Sequence, residues 1–280
     1  MILKCCVCES DDYEKFYRVI KEYALFKCQR CGLVFLKDAP DEIFKMDFIQ
    51  QAKEGLVSNH KERVEYFSFP HLYNKYRSIF DGFFEERFCR IKKYSSFSSM
   101  LDVGCGYGFW MKYCADRGIE VDGFDMSREV VDWMTENFCL KGTVCVIEEF
   151  ETDKKYDCVV LCDILEHVIE PGKEIRRFGK MLNENGIMYI QLPSIIGFKF
   201  PRSQGHDLPF HIWQFNFHAL KKLIEKNGFS LMDWRTGVTG VIGVYEDNCG
   251  RAPFLKRLEW QIARSLKIGN RLQMIIKRKV

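Results

Sequence analysis

Three glycines at alternate positions, directly after a short apolar stretch, are the strongest chemical signal in this sequence. The segment from Leu101 to Trp110 reads LDVGCGYGFW, with glycines at 104, 106 and 108. A loop of this kind lets a strand turn sharply, and it leaves N–H groups at the start of the next helix available to a polar cofactor. A dinucleotide-binding loop would need Gly-x-Gly-x-x-Gly, but Phe109 stands at the sixth position. The loop therefore predicts a cofactor other than NAD, with a plain turn as the alternative.

Acidic residues follow the next two predicted strands. Asp125 ends the predicted strand Glu120–Asp125 and lies 21 residues after Gly104. Its two oxygens could bind both hydroxyls of a ribose, or the side chain could be a surface acid that caps the following helix. Glu148 and Glu149 follow the third strand, where a carboxylate could accept a hydrogen bond from an adenine amino group. The alternative for both is a solvated loop.

The fourth predicted strand, Tyr156–Cys162, leads into the segment DILEHV. We expect Asp163, at the end of this strand, to face the cofactor. His167 could act as a general base because the pKa of an imidazole lies near neutrality. The alternative is that Glu166 and His167 only orient the loop and the start of the next helix.

A long Gly/Pro-rich segment from Pro193 to Pro209 precedes the second candidate base, His211. Long loops in compact domains are often binding loops. His206, Asp207, Trp213 and Phe215 cluster around His211 in the sequence, and they suggest an acid/base pair with an aromatic wall that suits a polar ring such as a sugar. In the alternative interpretation the rings belong to the core and His211 is a buried structural histidine. We rank His211 first and His167 second as the base.

Two Cys-x-x-Cys pairs near the start of the chain, separated by 19 residues, match the spacing of a zinc ribbon. The predicted ligands are Cys5, Cys8, Cys28 and Cys31. Because four thiolates close a tetrahedral shell, the expected Zn²⁺ is structural. The alternative is a chance cluster of buried thiols.

Strands alternate with helices through most of the chain, which predicts an α/β fold with a doubly wound, mostly parallel, seven-stranded sheet. The last two strands are expected near Ser230–Arg235 and Val241–Tyr245, with the final strand antiparallel because no helix fits between them. The predicted organisation is a zinc-ribbon-like segment at 1–36, a helical lead-in or lid at 37–98, a cofactor-binding domain at 99–248 and a basic amphipathic helix at 249–280.

The charge is unevenly distributed along the chain. Residues 251–280 contain nine Lys/Arg and one acid, so their net charge is +8. Since the whole chain has a net charge of +3, the other 250 residues together carry −5. An acidic body argues against a dedicated nucleic-acid groove. In the tail, apolar side chains recur at helical spacing between the basic ones, which predicts a helix that contacts an anionic membrane surface, packs on its own domain or joins a homodimer.

The chain has no apolar run of 18 residues and no signal-peptide pattern at its start, and it contains 13 cysteines. These features predict a cytoplasmic protein with reduced thiols, with membrane association through the tail as an open alternative.

Four motifs in a fixed order, LDVGCGYG, VDGFDMS, YDCVVLCDILEHV and HDLPFHIWQFNFHALKKLIEKNGF, resemble those of class I S-adenosylmethionine-dependent methyltransferases. The similarity is to the broad group with ubiquinone-biosynthesis-like and sugar-modifying members, and it spans about residues 99–248. It implies a Rossmann-like fold and S-adenosylmethionine as cofactor. The expected cofactor-binding residues are Asp102, Gly104, Cys105, Gly106, Gly108, Asp125, Met126, Glu149 and Asp163.

The cysteine-rich start resembles the amino-terminal domain of sugar C-methyltransferases, but we do not expect the long carboxy-terminal domain of those enzymes in this chain. We therefore expect methyl transfer to a small molecule or glycan, with O-methylation of a sugar or sugar-containing precursor favoured. The alternatives are a ribosomal RNA methyltransferase, some of which also begin with a zinc ribbon, and a non-catalytic interaction protein.

Overall fold

A computed structural model describes residues 4–20, 23–40, 69–194, 196–199, 207–237 and 254–279. In chain order its elements are β1 (Tyr13–Ile20), β2 (Tyr23–Cys28), β3 (Val34–Leu36), α1 (Phe69–Lys75), α2 (Arg77–Tyr94), β4 (Ser99–Val103), α3 (Phe109–Ala115), β5 (Glu120–Asp125), α4 (Arg128–Phe138), β6 (Thr143–Val144), β7 (Tyr156–Cys162), α5 (Pro171–Gly179), β8 (Leu182–Pro193), β9 (Trp213–Gln214), α6 (Phe217–Lys226), β10 (Phe229–Gly237), α7 (Phe254–Ser265) and β11 (Arg271–Arg278).

Seven strands form the main sheet in the order β10-β11-β8-β7-β4-β5-β6. The strands from β8 to β6 run parallel to their neighbours, whereas β11 runs antiparallel to both β8 and β10. The predicted doubly wound, mostly parallel, seven-stranded sheet is confirmed. Since the carboxyl ends of the parallel strands share one edge, the loops after β4, β5, β6 and β7 lie along the same crevice.

The final strand differs from the prediction in position. The antiparallel strand is β11, and α7 precedes it; the residues predicted as the strand Val241–Tyr245 lie outside the described part. The helix predicted over 249–280 was therefore wrong in extent, because its described part ends at Ser265 and the chain then enters the sheet. Leu272, Met274 and Ile275 are buried because β11 has a neighbour on each side and both of its faces are covered.

A second, small antiparallel sheet has the order β1-β2-β3-β9. Its first three strands come from the cysteine-rich start, but β9 follows β8 much later in the chain, and Phe35 pairs with Trp213. These residues belong to the same hydrophobic core as the main sheet. The cysteine-rich segment is thus tied directly to the cofactor-binding domain.

The aromatic residues of the lead-in helices form a packing face. Tyr73, Phe84 and Phe88 are buried, and the ring of Tyr73 stacks on Phe109 at a centroid distance of 3.9 Å. Phe109 is the first residue of α3, so α1 and α2 hold the helix that follows the glycine loop. No helix within the described ranges has the length and apolar character needed to cross a membrane.

Candidate cofactor and acceptor site

The glycine loop connects β4 to α3 through three left-handed backbone positions. Gly104, Gly106 and Gly108 have φ values of +69°, +52° and +70°. A Cβ atom at Gly104 would come within 2.3 Å of Ile164 Cδ1, and one at Gly108 would come within 2.3 Å of Met134 Sδ. At Gly106 it would meet nothing within 4 Å. Two glycines therefore permit close packing, whereas Gly106 faces open space.

The carboxylate of Asp125 links this loop to the end of β5. It accepts hydrogen bonds from Gly106 N–H at Oδ2 and from Ser127 N–H at Oδ1, both at 2.9 Å. A carboxylate offers about four acceptor positions, so this type of side chain can bind a ribose hydroxyl as well as backbone donors. Asp125 thus lies at the place where the sequence predicts a partner for ribose hydroxyls, with its orientation set by backbone donors.

Asp102 lies on β4 and is buried. Burial raises the pKa of its carboxyl to about 7; Arg87 opposes the rise and Asp125 adds to it. The side chain therefore titrates near neutrality, unlike an exposed aspartate.

Met126 and Glu149 are the most exposed of the predicted cofactor residues. Met126 directly follows β5, and Glu149 ends a single 3₁₀ turn after β6. Arg177 fixes this turn by donating to the carbonyls of Ile147 and Phe150. The turn borders the crevice, as predicted, and the contact of Glu149 with adenine stays a prediction.

Asp163 follows β7 with a left-handed φ of +59°. Its carboxylate forms an ion pair with Arg271, the first residue of β11. Sequence reasoning missed Arg271 because it assigned that residue to a helix.

The two candidate bases, His167 and His211, are brought together. Their ring centroids lie 4.6 Å apart, with the ring planes at 79°. His167 Nδ1 lies 3.2 Å from the Phe210 carbonyl oxygen, and His211 Nδ1 lies 3.6 Å from Asp207 Oδ2. Burial lowers the pKa of His167 to about 4, which keeps this imidazole neutral at physiological pH.

Glu166 lies beside this histidine pair and is fully buried. Neither of its carboxylate oxygens has a hydrogen-bond partner among the described residues. Burial, reinforced by the charge of Asp163, raises the pKa of this carboxyl well above its usual range. The sequence interpretation gave Glu166 only an orienting role, although its position next to His167 could have indicated more.

The predicted aromatic wall is not formed by Trp213 and Phe215. Trp213 is 2% exposed, its Nε1–H donates to the Val168 carbonyl at 2.7 Å, and its ring packs against Phe35. Phe215 is fully buried. Both rings belong to the core, since β9 joins the small sheet, and His206 lies outside the described residues.

The small sheet also supports the segment that carries His211. Leu36 N–H donates to the Ile212 carbonyl at 2.9 Å, and Trp213 N–H donates to the Glu166 carbonyl at 3.2 Å. The position of His211 relative to Glu166 is therefore set by β3 and β9 together.

The four predicted zinc ligands lie together near the start of the chain. The sulfur atoms of Cys5 and Cys31 are 3.5 Å apart, and Cys8 Sγ lies 3.5 Å from Cys5 Sγ and 3.4 Å from Cys28 Sγ. Tetrahedral thiolates with Zn–S bonds of 2.3 Å would be about 3.8 Å apart. The sulfur cluster therefore fits a zinc ion with little movement.

Comparison with known proteins shows similarity to methyltransferases. A family described as "Methyltransferase domain" matches residues 71–233, more than half of the chain. Two curated relatives are ubiquinone biosynthesis O-methyltransferases, one from Marinobacter nauticus at 35% identity over 100 residues and one from Bradyrhizobium diazoefficiens at 26% over 96. Each match covers 32% of this chain and only 42% and 38% of the respective relative.

Solved structures agree on the architecture. A S-adenosylmethionine-dependent methyltransferase from Clostridium acetobutylicum superposes with a TM-score of 0.53 at 14% identity, over 77% of this chain and 99% of the other. A 1,6-didemethyltoxoflavin-N1-methyltransferase from Burkholderia thailandensis gives 0.52 at 14% identity, over 95% and 100%. At these identities the similarity establishes the fold alone.

Proposed function

The chain belongs to the methyltransferase-domain family, and from this premise we propose that it transfers a methyl group from S-adenosylmethionine to a hydroxyl of a small molecule or glycan. A sugar or a sugar-containing precursor is the favoured acceptor. The matched relatives are named O-methyltransferases, which supports oxygen as the receiving atom. The acceptor class rests on the resemblance of the cysteine-rich start to sugar-modifying methyltransferases.

The residues around the glycine loop fit S-adenosylmethionine. Gly106 faces a space in which a cofactor's chain could lie against the backbone, and Asp125 offers oxygens for a ribose. The loops that carry Met126, Glu149 and Asp163 border the same crevice. When bound, S-adenosylmethionine supplies an electrophilic methyl group, so the protein's own work is alignment and proton removal.

Alignment of the acceptor contributes most to the rate, because holding two reactants in the attacking geometry can supply about 7–11 kcal/mol. A positioned base adds roughly 10²–10⁴-fold. His211 is the first candidate to accept the hydroxyl proton. It lies at the edge of the buried pair with a side chain that is 12% exposed, and Asp207 can stabilise the imidazolium that forms.

The convergence of His167 and His211 beside the crevice is the observation that carries this proposal. Incubation of cell extract with the protein and trideuteromethyl S-adenosylmethionine tests it, because mass spectrometry reveals the labelled metabolite and fragmentation separates O- from C-methylation. We expect label on a hydroxyl-bearing small molecule with the wild-type protein, and label accumulating roughly 10²-fold or more slowly with His211→Ala. Label on ribosomal RNA, or on no molecule while the cofactor binds, would contradict the proposal.

We also propose that Cys5, Cys8, Cys28 and Cys31 hold a structural Zn²⁺. The distances between their sulfur atoms support this. A bound ion would also stabilise β3, which in turn supports the segment that carries His211. Elemental analysis should find one zinc per chain in the wild-type protein and less in Cys28→Ser. Cys139→Ser, which removes an exposed thiol elsewhere, is the matched control. Equal zinc in all three proteins would exclude the site.

The location and partners are proposals as well. The described cysteines are all free thiols, which supports a reducing cytoplasm. Helix α7 and the residue directly after it carry four exposed large apolar side chains, Leu255, Leu258, Ile262 and Leu266. This stripe supports contact with an anionic membrane surface, with a second copy of the chain as the alternative partner. No specific nucleic-acid partner is proposed.

A further inference from the structure

Glu166, His167 and His211 form a cluster of metal-ligand type outside the cysteine-rich segment. One ligand atom from each side chain can be chosen so that all three lie within 4.8 Å of one another. Two imidazoles and one carboxylate are a donor set that binds divalent transition metals. Glu166 and His167 come from the turn after β7, whereas His211 comes from the segment before β9. The fold therefore brings the three donors together from distant parts of the sequence.

The carboxylate of Glu166 requires a partner that the described residues do not provide. The residue has no exposed surface, and both oxygens lack a hydrogen bond. Burying an unpaired carboxylate is costly, and such groups in proteins are paired or coordinate metals. A bound cation would supply the partner that this carboxylate lacks among the described residues.

The hydrogen bonds around the histidines favour the same conclusion. A proton on His167 Nδ1 can be donated to the Phe210 carbonyl oxygen at 3.2 Å, which leaves the Nε2 lone pair available. Asp207 stands near Nδ1 of His211 in the corresponding position. Metal-binding histidines usually donate their second ring N–H to a carbonyl or a carboxylate, which fixes the tautomer and the ring orientation.

The surrounding charges also suit a cation. The charged side chains that act on Glu166 are Asp163, Asp207 and Arg271. With Glu166 ionised, the acids in this group outnumber the bases by two. A divalent ion would balance the cluster.

We propose that Glu166, His167 and His211 form a binding site for a divalent cation such as Mn²⁺ at the acceptor side of the crevice. Three protein ligands leave coordination positions open, so the ion could bind an acceptor oxygen and orient it. This role of the ion rests on the proposed function and changes one step of it. An imidazole that coordinates the ion cannot accept the hydroxyl proton, so the ion would instead lower the pKa of the bound acceptor hydroxyl, which would release its proton to solvent. Loss of His211 would then abolish methyl transfer through loss of the ion. Binding of the ion itself does not depend on that function.

Mn²⁺ is the probe for the test, because it favours oxygen and nitrogen donors and thereby avoids the cysteine cluster. The full-length protein is titrated with Mn²⁺ while electron paramagnetic resonance measures the free ion. We expect one Mn²⁺ per chain, with binding at least 10-fold weaker in Glu166→Gln and in His211→Ala. Asp207→Asn should weaken binding about 10- to 100-fold if its carboxylate orients His211. Glu184→Gln removes an exposed carboxylate elsewhere and should bind as the wild type does.

Circular dichroism and calorimetric binding of S-adenosylmethionine check that each variant is folded. The site is excluded if the wild-type protein binds no stoichiometric Mn²⁺, or if a folded Glu166→Gln binds it unchanged. Neither result bears on methyl transfer. Conversely, a protein that binds Mn²⁺ but transfers no methyl group would overturn the proposed function and leave the metal site intact.

Discussion

The carboxylate of Asp125 accepts a hydrogen bond from the backbone N–H of Gly106 at 2.9 Å. This contact joins the end of β5 to the glycine loop after β4, so the two sequence motifs that predict a cofactor site hold each other in place. A second hydrogen bond, from Ser127 N–H, restrains the orientation of the carboxylate. The carboxylate is therefore already oriented for the ribose contact that we propose.

Replacement of Asp125 should remove most of the cofactor affinity. Asp125→Ala loses two charge-assisted hydrogen bonds to the ribose, each worth about 1.5–3 kcal/mol, which predicts at least ~100-fold weaker binding of S-adenosylmethionine. Isothermal titration calorimetry measures this change. Asp132→Ala, an exposed acid on the neighbouring helix α4, is the control and should bind normally. Similar affinities in both variants would mean that Asp125 does not contact the ribose.

Alanine substitutions at two glycines of the same loop should have different effects, one mainly on stability and the other mainly on cofactor affinity. Gly108→Ala places a Cβ against Met134 in a left-handed conformation, and we expect a loss of about 2 kcal/mol or more in the free energy of unfolding. Gly106→Ala carries only the conformational cost of about 1–2 kcal/mol, but its methyl group occupies the open space where the cofactor is expected. Denaturant unfolding and calorimetry measure stability and affinity separately. If Gly106→Ala binds the cofactor normally, that space is not part of the site.

The buried carboxyl of Asp102 should make the stability of the cofactor-free protein depend on pH. Its pKa is raised to about 7 in the folded state from the usual value of 3.8, so the folded state holds the proton more tightly than the unfolded state. The free energy of unfolding should therefore fall as pH rises from about 4 to 7, on the order of 3 kcal/mol, and then level off. The difference between the wild type and Asp102→Asn isolates this group from His167, whose lowered pKa acts in the opposite direction. A difference that is constant over this pH range would be inconsistent with a raised pKa.

The exposed stripe on α7 can be tested without removing the tail. Truncation at residue 251 would delete β11 from the sheet, so point variants are required. Leu255 and Leu266 are 69% and 63% exposed, and the double variant Leu255→Gln/Leu266→Gln should sediment less with anionic liposomes than the wild type. Met232→Gln, an exposed apolar residue on β10, is the control. Unchanged sedimentation of the double variant would exclude the stripe as a membrane contact, and analytical ultracentrifugation would then test for a homodimer.

Sequence reasoning predicted the parts of the fold in which local signals and long-range packing agree. The order of strands and helices through β8 followed from apolar stretches that alternate with glycine-ended helices, and the glycine loop and Asp125 lie together as expected. The tail was misjudged because Arg271, Lys277 and Arg278 made a buried strand resemble a basic helix. A strand of this kind is recognised only when its two neighbours are known.

The candidate site was predicted less completely, since its key contacts join distant segments. Trp213 was interpreted as part of a substrate wall, but β9 pairs with β3 near the start of the chain, a contact that sequence spacing cannot indicate. The same pairing brings His211 next to His167 and the unpartnered Glu166. Strand pairings between segments so far apart in the sequence depend on the whole fold, so local sequence patterns do not predict them.

The most direct test of methyl transfer is the formation of S-adenosylhomocysteine by the purified protein in the presence of the labelled acceptor identified from extract. We predict that S-adenosylhomocysteine and methylated acceptor appear in equal amounts with the wild-type protein. His211→Ala should bind S-adenosylmethionine with nearly unchanged affinity while its turnover falls roughly 10²-fold or more. Wild-type turnover in His211→Ala, or consumption of S-adenosylmethionine without a methylated product, would contradict this account.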